Sequence, residues 1–409
     1  MFAAILPLFD ENISVGAYSL FSQRDNYFYE PRFSVTAKLD GAPNIDGLEI
    51  IEKMGTQTLS SDKDIFVPVN NVSIFADIET QCSAPHSQIV IFIDRTVNPT
   101  EMYINRLNEL KDEGYKIAIW KLNVSEFEVY KPILDITDYV FINCKKVDVN
   151  KAKIYFKLVY PDIKLVVCNI QTMEEFNKIS AEGGFDLYEG NFYRMPVTVG
   201  QKEVAPLKVN YLELLNIVNE PDYDLTQAAD VIGRDTSLVI SLLKIVNRMT
   251  INSEITTIRH AAAMLGQKEL KKWIITAVTK QLCFDKPNEI TRVSLLRARF
   301  AENLADAFGI KYLSQELFLM GLFSVLDIIL DKPMGEALEM VKISTDIKNA
   351  ILYDSGDMAD VLSFIKAYES ANWIEVARIL VIRKLEMDDV YLPYCDALEW
   401  YKKMFFEEQ

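Results

Sequence analysis

Two histidines, His86 and His260, are all the imidazole that a chain of 409 residues and 59 acids offers toward metal-assisted hydrolysis. That chemistry needs several imidazole and carboxylate ligands gathered around divalent ions. No His-Asp dipeptide occurs, and His260 follows Arg259 inside a helical pattern, where it reads as an ordinary helix histidine. Cys82, Cys144, Cys168, Cys283 and Cys395 are odd in number and widely spaced with no CxxC, which points to a reducing cytoplasm. The densest basic cluster, Lys268 to Lys272, reads as a short solvated helix face. With 43 Lys and Arg the net charge is −16, which opposes nucleic-acid backbones and anionic membranes at long range, so neither is an expected partner.

The elements that must position any site divide the chain in two. Half of the residues are apolar, enough for two or three domains with real cores. From Met1 to about Pro196 strand-like and helix-like runs alternate, the rhythm of parallel strands with crossover helices. Phe2–Pro7 and Ile13–Phe21 flank the turn signal Asp10-Glu11-Asn12 and predict a hairpin. Strands are expected over 65–69, 88–94, 115–120, 139–143, 164–168 and 185–188, with helices over 47–53, 72–80, 100–113, 148–159 and 172–181. Such repetition fits a (β/α) barrel better than an open sheet. Val197 to Lys208, with Gly200 and Pro206, sets the boundary between domains at 1–198 and 199–409.

Beyond the boundary the pattern is all helical. Leu238, Leu242, Leu243 and Val246 mark one amphipathic helix, and Asn247 to Glu254 is polar and turn-like. Ile258, Ala261, Ala262 and Leu265 mark a second helix that Gly266 ends, and a third runs from Gln267 to Leu282. Gly321 and Ser324 space small residues within an apolar helix and predict close packing. Asp327 reads as a buried hydrogen-bond partner or cap. The aromatic run from Asp388 to Phe406 predicts a docked terminal helix or a partner surface. Met1–Phe9 is cut by Pro7 and lacks a charged flank, so no signal peptide is expected, and no apolar run reaches the roughly 18 residues of a membrane span.

Two resemblances follow from particular residues. Leu242-Leu243-Lys244-Ile245-Val246-Asn247, then Ile255 to Arg259, Ala262, Leu265-Gly266 and Leu270 to Trp273 resemble in order the hallmark run of HDOD domains, relatives of HD phosphohydrolases without their metal ligands. In the N-terminal half, Pro7 to Asn12 followed by Ala17 to Phe21, Gly114 to Ile119, Thr172 to Phe176 and Gly184 to Phe192 are similar to the successive signatures of EAL domains found in EAL–HDOD hybrid proteins. The implied architecture is α/β plus all-α: a degenerate EAL-type (β/α) barrel followed by an all-helical HDOD domain.

EAL domains hydrolyse cyclic di-GMP with two divalent metals, and the resemblance carries that site over position by position. The signature Glu aligns with Ser19 and its Arg with Gln23, leaving Arg24 as the nearest replacement cation. The metal-binding Asn aligns with Pro68 and the third-strand Glu with Phe92, with Asp94 two residues on. The paired aspartates become Trp120 and Lys121. The fifth-strand Lys-Ile-Asp becomes Phe141-Ile142-Asn143. The later acidic positions read Cys168 and Gln171, and the substrate-contacting Gln becomes Glu189. Hard cations need several negatively charged oxygen ligands, which these residues do not supply.

The resulting expectation is a cytoplasmic, catalytically inactive regulatory protein that requires no cofactor and acts through protein contacts. Cyclic di-GMP is not expected to bind. The alternatives are a non-hydrolysing sensor of cyclic di-GMP or another nucleotide, with Trp120 and Phe141 stacking on bases, and a phosphodiesterase. Arg259, His260 and Trp273 are the candidate interaction residues, because interfaces are anchored by aromatic and Arg side chains.

Overall fold

A computed structural model describes residues 2–23, 44–120, 122–196, 203–220, 222–249, 255–284 and 288–405. Lys121, Arg24, half of the expected linker (197–202) and residues 250–254 of the expected turn fall outside these. The first half holds eight strands: β1 (Phe2–Phe9), β2 (Val15–Gln23), β3 (Asp64–Val69), β4 (Ile89–Ile93), β5 (Lys116–Ile119), β6 (Tyr139–Asn143), β7 (Lys164–Ile170) and β8 (Leu187–Gly190). They close into a barrel in chain order, parallel from β2 to β8, with β1 antiparallel to both of its neighbours. The hairpin forms where Asp10 ends β1: its Oδ1 accepts from the backbone N–H groups of Asn12 and Ser14 at 2.8 and 2.9 Å, which pins the turn.

Between the strands lie α1 (Leu48–Met54), α2 (Thr56–Ser60), α3 (Glu101–Asp112), α4 (Lys131–Leu134), α5 (Val149–Val159) and α6 (Met173–Ala181). The helix expected over 72–80 is a single 3-10 turn, Ser73–Phe75; there Asn70 Oδ1 accepts from the N–H groups of Val72 and Ser73, an alternative to helical pairing. The last strand sits at 187–190 rather than 185–188.

The helices that follow are α7 (Pro206–Val218), α8 (Leu225–Ile232), α9 (Thr236–Met249), α10 (Ile258–Leu282), α11 (Asn288–Leu304), α12 (Ser314–Phe323), α13 (Leu326–Leu330), α14 (Met334–Glu339), α15 (Thr345–Tyr353), α16 (Asp357–Glu369), α17 (Trp373–Arg383) and α18 (Asp388–Phe405). The break at Gly266 is a left-handed residue, φ 72°, inside the run of α10. Asn247, expected in a turn, belongs to α9; its side-chain amide clasps Ile255, accepting from the N–H at 2.6 Å and donating to the carbonyl at 2.9 Å. Ser324 lies just past α12 rather than within it.

Two compact units result, and they do not follow a single cut in sequence. Met1–Met195, Arg299–Ser314 and Ser363–Gln409 make one; Pro196–Ala298 and Gln315–Leu362 make the other. The terminal aromatic helix therefore goes with the barrel. In that unit Phe2 stacks on Trp373, Ala3 N–H donates to the Tyr368 hydroxyl at 3.3 Å, and Arg194 pairs with Glu369 at 3.2 Å. No helix among the described residues is long and apolar enough to cross a membrane.

Candidate functional site

Side chains alternate along each strand, so one set points into the barrel. Leu8, Ala17, Phe66, Val90, Phe92, Ala118, Tyr139, Phe141, Val166 and Leu187 form that interior, with Trp120 and Cys168 packed against it. Phe66 is its centre: ring centroids lie 5.6 Å from Phe92, 5.0 Å from Tyr139 and 5.2 Å from Phe141, all edge to face. Such contacts add about 0.5–1.5 kcal/mol each to the burial itself.

At the C-terminal strand ends, where a barrel of this kind presents its site, the same packing continues. Phe92 and Phe141 approach to 4.4 Å, and the half-buried indole of Trp120 lies 5.2 Å from Phe92. Register brings the sequence-derived positions into pairs: Pro68 opposite Phe92 on β3 and β4, Asn143 opposite Cys168 on β6 and β7, and Ser19 opposite Phe66 on β2 and β3. Ser19 is 2% exposed, and its hydroxyl has no hydrogen-bond partner among the described residues.

The polar groups here are tied down locally. Glu189 accepts from Asn169 N–H at 2.9 Å, and burial holds its carboxyl above the usual range against the pull of that bond. Burial, with Glu189 beside it, pushes the Cys168 thiol well up. Asn169 takes a left-handed backbone, φ 70°, where β7 shifts register, and its side-chain oxygen accepts from Gln171 Nε2 at 2.8 Å. Gln171 is exposed and lies off the interior, while Gln23 sits at the far end of its hairpin opposite Phe2. Asp94, just past β4, turns its Oδ1 to the N–H and hydroxyl of Thr96 at 2.9 and 2.7 Å. Among the described residues no group of three or more His, Cys, Asp or Glu is gathered to hold a metal ion.

A polar set at the opposite barrel end escaped the sequence reading. Asp64 receives Lys116 Nζ on both oxygens at 2.7 and 2.8 Å and the Tyr139 hydroxyl at 2.8 Å, and Lys164 Nζ donates to that hydroxyl at 3.2 Å. Its members come from four strands, and only the closed barrel joins them. Alternation was the available signal, since Asp64 lies two residues before Phe66 on one strand face.

In the helical unit Arg259 pairs with Asp230 at 2.9 Å in the open, His260 is exposed, and Trp273 is half-buried beside Ile274. Asp327 is buried in the first turn of α13.

The HDOD domain model matches residues 204–341. The cyclic di-GMP phosphodiesterase CdgJ of Vibrio cholerae is 28% identical over 325 residues, covering 77% of this chain and 74% of that protein. The uncharacterized protein YuxH of Bacillus subtilis is 25% identical over 411 residues, 98% of each chain. Among solved structures, a standalone EAL protein from Vibrio cholerae O395 with cyclic di-GMP bound is similar at 15% identity, covering 47% of this chain and 90% of that one with a TM-score of 0.35.

Proposed function

We propose that this chain is a signalling protein whose barrel does not turn over cyclic di-GMP and whose output passes through contacts with other proteins in the cytoplasm. One observation carries the reading: at the strand ends Phe92, Phe141, Trp120 and Cys168 pack into the barrel interior. Mg²⁺ and Mn²⁺ require an oxygen-rich shell, and a pair of such ions requires several carboxylates held a few ångströms apart. Phenyl and indole rings offer no such ligand, and Pro68 opposite Phe92 adds none. The carboxylates nearby, Asp94 and Glu189, are each engaged by backbone N–H groups of their own neighbourhood.

The test is incubation of the full chain with cyclic di-GMP and Mg²⁺ or Mn²⁺. No linear product is expected. The phosphodiesterase name of the Vibrio relative favours a second reading, an enzyme; turnover abolished by Asp94→Asn would establish it. Calorimetric titration with the same nucleotide separates the remaining case, in which the half-buried Trp120 stacks on a base. A flat trace leaves protein contact alone, and saturable heat without product would make the chain a sensor.

A further inference from the structure

We infer that the outward face of α9 and α10 holds an acidic segment of a partner protein; this rests on the protein-contact reading above and gives it a place and a chemistry. Charge is segregated here. The two helices carry seven Lys and Arg against one acid, Glu269, in a chain whose net charge is −16. Glu269 pairs with Lys272 at 3.0 Å and Asp230 of α8 pairs with Arg259 at 2.9 Å, two exposed pairs that still leave these helices with a positive excess.

The helices are joined at both ends of α9. Ser237, near its start, accepts a hydrogen bond from Gln281, near the end of α10, at 3.2 Å, and Asn247, near its end, clasps Ile255 just before α10 begins. Leu238, Leu242 and Val246 of α9 and Leu270, Ile274 and Val278 of α10 are buried. Ser237, Lys244 and Arg248, at i, i+7 and i+11, share one line of α9, and the first of them borders α10. Lys244, Arg248, Lys272 and Lys280 are exposed, Ile240 is 61% exposed, and Trp273 is half-buried.

Apolar side chains set among cations are what an interface with an acidic, partly apolar segment needs, because the charges steer the encounter and the apolar groups retain it. A nucleic acid fits less well. Its charge continues along the strand beyond the face and meets the acidic remainder of the chain, whereas a short peptide is felt within about one Debye length, roughly 8–10 Å.

The test uses the full chain and a short fluorescein-labelled peptide of Glu and Leu, with a Lys and Leu peptide and duplex DNA as competing probes. The Glu peptide should bind, weaken with added salt, and bind at least about tenfold more weakly to the Lys244→Glu/Lys272→Glu/Lys280→Glu variant, whose thermal unfolding should match the parent. Equal binding by parent and variant would overturn the inference, as would tighter binding of the DNA through the same residues. So would light scattering that shows this face pairing two copies of the chain. Failure of the peptide with no cyclic di-GMP turnover removes the surface and leaves the proposed function standing; turnover with peptide binding intact does the reverse.

Discussion

Phe2, the first residue of β1, stacks on Trp373, the first residue of α17, with ring centroids 5.5 Å apart and planes 22° apart. Tyr368 meets both rings edge to face, at 6.3 Å from Phe2 and 5.3 Å from Trp373, and its hydroxyl accepts from Ala3 N–H. Helices from the far end of the chain thus pack against the start of the barrel's first strand. Trp373→Ala should lower stability by about 2–4 kcal/mol, and a double-mutant cycle with Phe2→Ala should return a coupling of about 1 kcal/mol. Urea unfolding of the four proteins measures it; strictly additive losses would mean that the stacking contributes nothing.

Phe92 is 2% exposed and touches Phe66, Trp120 and Phe141. Phe92→Ala should therefore cost about 3–5 kcal/mol. A loss below about 1 kcal/mol in chemical denaturation would show that the mouth is loosely filled, and the proposed function would lose its main support.

The barrel was legible because each strand carries its own apolar run between turn signals, whereas the inward set of Phe66, Phe92, Phe141 and Cys168, one from each of four strands that are apolar on both faces, emerges only when the barrel closes. Local signals did not distinguish the 3-10 turn at Ser73–Phe75 from a helix, since Asn70 decides it through side-chain hydrogen bonds. Nor could they place α18. Its aromatic residues announce a docked helix, but which body it docks on depends on contacts such as Tyr394 against Tyr368 at 5.0 Å, which span separate helices. The pairing of Asn143 with Cys168 and the bond from Asn169 to Glu189 depend on strand register, which only closure sets.

Gly321 tests helix packing in the other unit. A Cβ there would lie 2.6 Å from the Arg297 carbonyl oxygen and 2.7 Å from the Ala298 Cα, backbone atoms that cannot step aside. Gly321→Ala should destabilise by about 1–3 kcal/mol, although Gly to Ala in a helix ordinarily stabilises by about 0.5–1 kcal/mol. Gly335, inside α14 with nothing within 4 Å of its Cβ position, is the control and should show that ordinary gain. Thermal unfolding of the two variants should move in opposite directions; a shift of both upward would deny the close approach of α11 and α12.

Glu189 should make stability depend on pH in a direction opposite to most acids. Burial raises its carboxyl above 4.5, the value of the free side chain, while the Asn169 N–H pulls the other way. Between the unfolded and folded values the folded chain holds a proton that the unfolded chain has released. Stability through this group therefore falls as pH rises across that window, and the loss is complete above the folded value. Below the unfolded value both states are protonated and the group is silent. Glu189→Gln keeps an oxygen to accept from Asn169 and removes the ionisation. Its unfolding temperature should match the parent at pH 4 and exceed it at pH 8, with the gap opening across the window. Parallel curves for the two proteins from pH 4 to pH 8 would mean that Glu189 ionises in the barrel as it does in water.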